Sequence, residues 1–103
     1  MRSSIDHGDE DRVSLDTVFD ALAHPARRYL LQLLRHDGAL AMDLSASVQF
    51  AWNISAARAS QHLGVLRRAE LVTVIPCETT RHYRFEPGSA DAVVRWIDGL
   101  GKP

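Results

Sequence analysis

The residues from Ser55 to Arg68 combine small polar side chains with arginines, a set of residue types suited to contacting nucleic acid. Serine and glutamine exchange hydrogen bonds with base edges, alanine contacts the thymine methyl group, and arginine neutralises backbone phosphate. The candidate contacts are Ser55, Ala56, Ala57, Arg58, Ser60, Gln61, Arg67 and Arg68, with Arg81 and Arg84 farther along the chain. The same side chains also suit the solvated face of an ordinary helix, so residue types alone leave both interpretations open.

Patterns typical of catalysis do not occur in the sequence. It has no nucleophile–base spacing, no paired carboxylates in an apolar setting and no glycine-rich phosphate loop. These are the arrangements that covalent catalysis and phosphate binding require. We therefore expect no enzyme, no catalytic residues and no cofactor.

Cys77 is the single cysteine of the chain, which excludes an internal disulfide. A sensor thiol needs a lowered pKa and access to solvent. Arg81 and His82 lie nearby in sequence, but Glu78 opposes their charge, so an ordinary hairpin cysteine is the favoured interpretation. A metal site formed across a dimer by Cys77, Glu78 and His82 is a weaker alternative, and we expect no metal.

The two central histidines are expected to form hydrogen bonds and not to take part in chemistry or bind a ligand. His24 precedes a proline at a helix start, where a local hydrogen bond is the common role. His62 lies beside the apolar stripe of a helix, where we expect a contact with backbone or phosphate.

Charge is distributed unevenly along the 103 residues, although the formal net charge is only −1. The first twenty residues carry six acidic and two basic side chains, whereas residues 21–85 carry eight arginines and four acidic side chains. A basic middle favours a nucleic-acid partner. A solvated, charged surface remains the alternative.

Length and composition predict one folded domain. Hydrophobic residues make up 46% and charged residues 24%, as in ordinary globular proteins. We expect residues 1–12, which are polar and acidic, to form a disordered lead, and residues 13–103 to form the domain. The absence of a signal-peptide pattern or a long apolar run predicts a cytoplasmic protein with no membrane partner.

Hydrophobic spacing predicts four helices before any strand. Ser14 caps a first helix, whose apolar face is formed by Leu15, Val18, Phe19 and Leu22. Pro25 starts a second helix, and Gly38, in a left-handed conformation, ends it. A third helix is predicted from Met42 to Phe50, followed by a turn in which Trp52 plugs the core. Ser55 caps a fourth helix, whose inward positions are Ala59, Leu63, Leu66 and Ala69.

The spacing of the hydrophobic residues changes after the fourth helix. Residues 71–75 are mostly β-branched and residues 81–85 alternate, which predicts a hairpin joined by a connector over residues 76–80. Ser89 caps a last helix that carries Val93, Trp96, Ile97 and Leu100. The predicted fold is therefore mainly α with a small β-hairpin, in the order ααααββα. Two helices followed by a hairpin describe a winged helix-turn-helix, whose second helix enters the major groove.

Three segments resemble the ArsR-type winged-helix repressors. They are FDALAHPARRYLLQLL at residues 19–34, ISAARASQHLGVLRRAELV at residues 54–72 and RHYRF at residues 81–85. The resemblance, which covers about residues 15–100, implies a homodimeric repressor that binds an inverted-repeat DNA operator. It also implies a dimer interface formed by the first and last helices, through Leu15, Val18, Phe19, Leu22, Val93, Trp96, Ile97 and Leu100.

The sequence departs from this family at the metal-sensing positions. Metal-sensing relatives carry a Cys-x-Cys pair before the recognition helix or Asp/His pairs in the last helix. Residues 41–53 hold no Cys or His, and the last helix offers Asp91 and Asp98 without a His. The hairpin tip at residues 77–80 also lacks the usual basic, glycine-containing turn, which leaves Arg81 as the candidate for minor-groove contact.

Three alternatives to this interpretation remain open. The first is a repressor that responds to thiol oxidation or metal through Cys77. The second is a winged helix that binds protein and not DNA, and the third is an activator. The operator and any small-molecule effector are not defined by the sequence.

Overall fold

The computed structural model describes residues 13–102, so the acidic lead expected over residues 1–12 lies outside the described residues. Over this part of the chain, no helix is long and apolar enough to cross a membrane. The chain is mainly helical with a small antiparallel sheet, as predicted. Its elements are α1 (Leu15–Leu22), α2 (Pro25–Leu33), β1 (Ala39–Leu40), α3 (Ala41–Trp52), α4 (Ala56–Arg68), β2 (Val72–Cys77), β3 (Thr80–Phe85), a 3₁₀ turn (Pro87–Ala90) and α5 (Asp91–Leu100).

Side-chain caps fix the starts of three helices where the sequence predicted them. The Ser14 hydroxyl accepts from the Thr17 amide at 3.1 Å, and the Ser55 hydroxyl accepts from the Arg58 amide at the same distance. At the start of α2, Nδ1 of His24 accepts from the amide of Ala26 at 3.0 Å, which confirms a local role for this histidine. Each cap satisfies an amide that has no partner within its helix.

The predicted cap of α5 is wrong. Ser89 lies within the 3₁₀ turn, and its hydroxyl donates to the Glu86 carbonyl at 2.8 Å. The helix instead begins at Asp91, after Ala90, which makes no side-chain cap. The acidic Asp91 in the first turn is favourable there, because it faces the positive end of the helix dipole.

Gly38 has a different role from the predicted one. Helix α2 ends at Leu33, and none of the glycines that the structure describes has a positive φ. A Cβ atom at Gly38 would instead lie 2.7 Å from the carbonyl oxygen of Tyr83 and clash with the ring of His82. Glycine is therefore required because the backbone passes directly against β3 at this point.

This close passage creates a third strand that the sequence did not reveal. Ala39 pairs with Tyr83 and Leu40 with His82, so β1 lies on the open side of β3 and the strand order is β1-β3-β2. Two residues are too few to show the alternation by which a strand is recognised. The hairpin thereby becomes a three-stranded wing, defined here as β1, β2, β3 and the turn between β2 and β3.

The connector predicted over residues 76–80 is also wrong. Pro76 pairs with Arg81 and Cys77 with Thr80, so the strands continue to a two-residue turn at Glu78 and Thr79. Glu78 adopts the left-handed conformation, with φ 56°. Pro76 is tolerated because β2 is an edge strand.

The core forms where the helices meet the base of the wing. Its largest fully buried side chains are Leu30, Leu44, Val48, Leu66 and Leu71. The predicted inward face of α4 is confirmed, since Ala59, Leu63, Leu66 and Ala69 are all buried.

Trp52 does not plug this core, contrary to prediction. Helix α3 continues through Trp52 before Asn53, with φ 51°, ends it. Trp52 remains 39% exposed, and Ile54 packs against the core in its place.

Candidate nucleic-acid interface

The start of α4, residues 55–61, is called the leading turn below and has one face open to solvent. Six candidate residues are exposed, namely Ser55, Ala56, Ala57, Arg58, Ser60 and Gln61. The next residues inward, Ala59, His62 and Leu63, are buried. The helix is therefore anchored by one face while the opposite face, which carries short side chains, is free to approach a flat or grooved partner.

Arg67 and Arg68 are exposed but lie at the other end of α4. Arg67 lies nine positions after Arg58, which corresponds to about 14 Å along a helix axis. The Arg68 guanidinium lies alongside Gly64, one turn before its own position in α4. The structure therefore places these two cations apart from the residues that are suited to reading bases.

Arg81 and Arg84 are both exposed on β3. Because side chains alternate along a strand, they leave the wing from opposite faces. Arg81 lines a groove of about 570 Å³ between the wing tip and the start of α3, together with Leu40 and Met42. Arg84 extends past Gly38 on the other face.

A cluster that the sequence did not predict lies directly behind the leading turn. Nη1 of Arg27 lies 3.1 Å from Nδ1 of His62, and the His62 ring is tilted against that of His24 with centroids 4.5 Å apart. His62 is only 4% exposed, so the expected contact with backbone or phosphate is replaced by a side-chain contact within the chain. Arg27 and His62 are 35 residues apart, and no local pattern joins them.

The surroundings of both histidines in this cluster favour the neutral imidazole and lower its pKa. Burial lowers the pKa of His62, and the nearby His24, Arg27 and Arg58 lower it further. Burial also lowers the pKa of His24, with contributions from Arg27, Arg58 and Arg28. Desolvation and neighbouring cations both disfavour an imidazolium ion.

The candidate dimer residues divide into two groups. Trp96, Ile97 and Leu100 on α5 are at least half exposed, and Leu15, Phe19 and Leu22 on α1 are partly buried. Val18 and Val93, in contrast, are 2% and 8% exposed and belong to the core of the chain itself. Six of the eight predicted residues therefore remain available at the surface.

Cys77 is an exposed free thiol near the wing tip. Among residues 13–102, no group of three His, Cys, Asp or Glu side chains is arranged to hold a metal ion. Asp91 and Asp98 of α5 are exposed, and Asp98 pairs with Lys102 at 3.5 Å.

Comparisons with known proteins agree with this geometry. A family model for a helix-turn-helix domain matches residues 22–75, which is more than half of the chain. A crystal structure of a possible transcriptional regulator for arsenical resistance is 32% identical with a TM-score of 0.69, covering 84% of this chain and 85% of that chain. A comparison with the curated proteins finds no significant match.

Two further solved structures share the fold at 22% identity. The ArsR family transcriptional regulator RHA00566 has a TM-score of 0.74, covering 84% of this chain and 90% of that one. The homodimeric winged helix-turn-helix DNA-binding domain of a possible ArsR-family regulator from Mycobacterium bovis has a TM-score of 0.63, covering 86% and 82%. The helix-turn-helix family model and the 32% identical regulator for arsenical resistance show that the chain belongs to the ArsR-type family of winged helix-turn-helix, DNA-binding transcriptional regulators, and the outward-facing turn of α4 and the adjoining wing agree with this.

Proposed function

We propose that the protein is a homodimeric repressor that binds an inverted-repeat operator. The observation that carries this proposal is the leading turn of α4, which exposes small and polar side chains on a helix that is firmly packed by its other face. Such a helix fits the major groove, where side chains reach the edges of the bases.

The proposed division of work follows the chemistry of the exposed side chains. The leading turn reads bases through Ser55, Ala56, Ala57, Ser60 and Gln61. The Ser55 hydroxyl oxygen already accepts the Arg58 amide, so its remaining hydrogen-bonding capacity is what a base would use. Phosphate contacts, which position the protein without reading sequence, come from Arg58, Arg67, Arg68, Arg81 and Arg84.

The proposed dimer interface is the apolar surface shared by α1 and α5. It consists of Leu15, Phe19, Leu22, Trp96, Ile97 and Leu100. Trp96, Ile97 and Leu100 are at least half exposed on one helix, and an exposed apolar patch of this kind marks an interaction surface. The Mycobacterium bovis domain is homodimeric, which supports a dimer of this chain without indicating its interface. A twofold axis at this surface would present two α4 helices to successive major grooves, about 34 Å apart.

Selection of duplexes from a random pool tests this function directly. The recovered sites are expected to contain two half-sites related by a dyad, and binding by fluorescence anisotropy is expected to weaken steeply with added salt. Recovery of no preferred sequence, or of a single half-site bound by one protomer, would contradict the proposal. Absence of any salt-dependent binding to DNA would favour the protein-interaction alternative.

Repression is tested separately, with a reporter gene whose promoter overlaps the selected site. Expression is expected to fall when the protein is supplied and to recover when Gln61 and Arg58 are replaced by alanine. An increase in expression would identify an activator.

A further inference from the structure

The carboxyl end of α1 is held by two arginines that belong to α2. The last turn of α1 has no basic residue of its own, and Pro25 has no amide hydrogen to offer the Ala21 carbonyl. Arg27 donates from Nε to the carbonyl of Ala21 at 2.8 Å and from Nη2 to that of Asp20 at 2.9 Å. Arg28 donates from Nη1 to the Leu22 carbonyl at 2.6 Å. The two arginines thus share the stabilisation of this helix end.

Only Arg27 extends this contact to α4. Its remaining terminal nitrogen, Nη1, reaches Nδ1 of His62 on the buried face of the helix. One planar guanidinium therefore binds α1 and α4 at the same time. A lysine ammonium lacks this fixed fork of donors and does not satisfy three acceptors in this geometry.

We propose that Arg27 is a positioning residue that sets the orientation of α4 relative to α1. This inference rests on the proposed function, in which α1 forms part of the dimer interface and α4 reads DNA. In that dimer, the separation of the two α4 helices depends on the path from α1 through Arg27 to α4. Loss of the guanidinium is therefore expected to relax the preferred spacing between half-sites while leaving the base-reading residues in place.

The contacts of Arg27 with α1 and with His62 are together called the joint below. The joint depends on the charge state of His62. An arginine nitrogen always donates, so Nδ1 of His62 must be the acceptor and its ring must be neutral, with the proton on Nε2. The charged or titratable groups that face the ring are Arg27 and His24 from the start of α2, and Arg58 from α4. Helix α1 contributes backbone carbonyls to Arg27. Protonation of His62 would remove the acceptor and place a second cation against Arg27, so acid is expected to loosen the joint.

Three variants separate positioning from simple capping. Arg27→Met removes both contacts, whereas Arg28→Met is the matched control because it removes a bond to α1 without touching α4. His62→Asn keeps a hydrogen-bond acceptor near the position of Nδ1 but cannot titrate. Affinity is measured by fluorescence anisotropy on the duplex selected by the wild-type protein, and on the same duplex with its half-sites moved apart by one base pair.

Arg27→Met is expected to bind the selected duplex about tenfold more weakly and to lose its preference over the respaced duplex. Arg28→Met is expected to stay within about twofold of wild type on both. His62→Asn is expected to bind like wild type at pH 7.5 and to lose less affinity at pH 5.5. Equal effects of Arg27→Met and Arg28→Met, or a retained spacing preference in Arg27→Met, would overturn the proposal.

A measurement without DNA keeps this inference distinct from the proposed function. In an NMR titration of the free protein, the pKa of His62 is expected to rise in Arg27→Met, because a neighbouring cation is removed. An unchanged pKa would refute the joint even if DNA binds. If the wild-type protein selects no duplex, the proposed function fails while the titration still tests the joint. If Arg27→Met does not fold, Arg27→Lys replaces it, with the same loss of spacing preference expected.

Discussion

The ring of Phe19 on α1 meets the ring of Trp96 on α5 edge to face, with centroids 5.6 Å apart and planes at 78°. This contact joins the first and last helices of the described chain into one surface. Trp96 nevertheless remains half exposed, and Ile97 and Leu100 beside it are more exposed still. Helix pairing within one protomer therefore leaves an apolar face that a second copy can cover.

Replacing Ile97 by Glu is expected to convert the proposed dimer into a monomer, because a charge buried in an apolar interface has no partner. Ile97 is 54% exposed in the protomer, so the fold should persist. Sedimentation velocity at micromolar concentration measures the change, and operator affinity should fall at least about tenfold through loss of two-site binding. Asp98→Ala, on the other side of α5, is the control and should remain dimeric. A dimeric Ile97→Glu would place the interface elsewhere.

Replacing Gln61 by Ala is expected to relax discrimination at one base pair by about 1–3 kcal/mol, because Gln61 is an exposed polar side chain on the leading turn. Affinities for the selected site and for single-base variants measure this effect. Arg81→Ala provides the contrast, because loss of a phosphate contact weakens binding to all sequences alike and lowers the salt slope by about one. If the Gln61→Ala variant distinguishes operator from scrambled DNA as well as wild type does, Gln61 does not read bases.

Stability is expected to fall as the pH drops below 6.5. The pKa values of His24 and His62 lie below 6.5 in the folded protein, so the unfolded chain binds more protons between 6.5 and those lower values. The free energy of unfolding is therefore highest above pH 6.5. It decreases as the pH falls through this window and becomes constant below the folded pKa values. Urea titrations from pH 8 to pH 5 measure it. His62→Asn should flatten the curve, and an equally steep curve in that variant would rule out His62 as the source.

Replacing Gly38 by Ala is expected to cost about 1–3 kcal/mol of stability, because its Cβ meets the Tyr83 carbonyl oxygen and the His82 ring. Gly99→Ala is the matched control. It lies within α5, and apart from its chain neighbours and its own helix backbone no atom is within 4 Å of its added Cβ, so stability should stay constant or rise by up to about 1 kcal/mol. Thermal unfolding at equal protein concentration compares the two. A Gly38→Ala variant as stable as wild type would show that β1 can shift away from β3.

The helices and the outward face of α4 could be predicted from the sequence because their signals are local. Helical spacing shows in neighbouring residues, and the caps at Ser14, His24 and Ser55 act within three positions. The exposure of the leading turn followed from the apolar stripe that begins at Ala59. Short-range hydrogen bonds and periodic burial are encoded over a few residues, so a single chain is sufficient to reveal them.

The remaining features depend on contacts between distant parts of the chain. The β1 strand exists because Gly38 allows the backbone to approach β3, and the Arg27–His62 contact exists because α2 packs against α4. Packing also moved Val18 and Val93 from the expected dimer surface into the core. A helical face defines which residues point the same way, but the neighbours that cover them are set by how the helices pack, which no local pattern specifies.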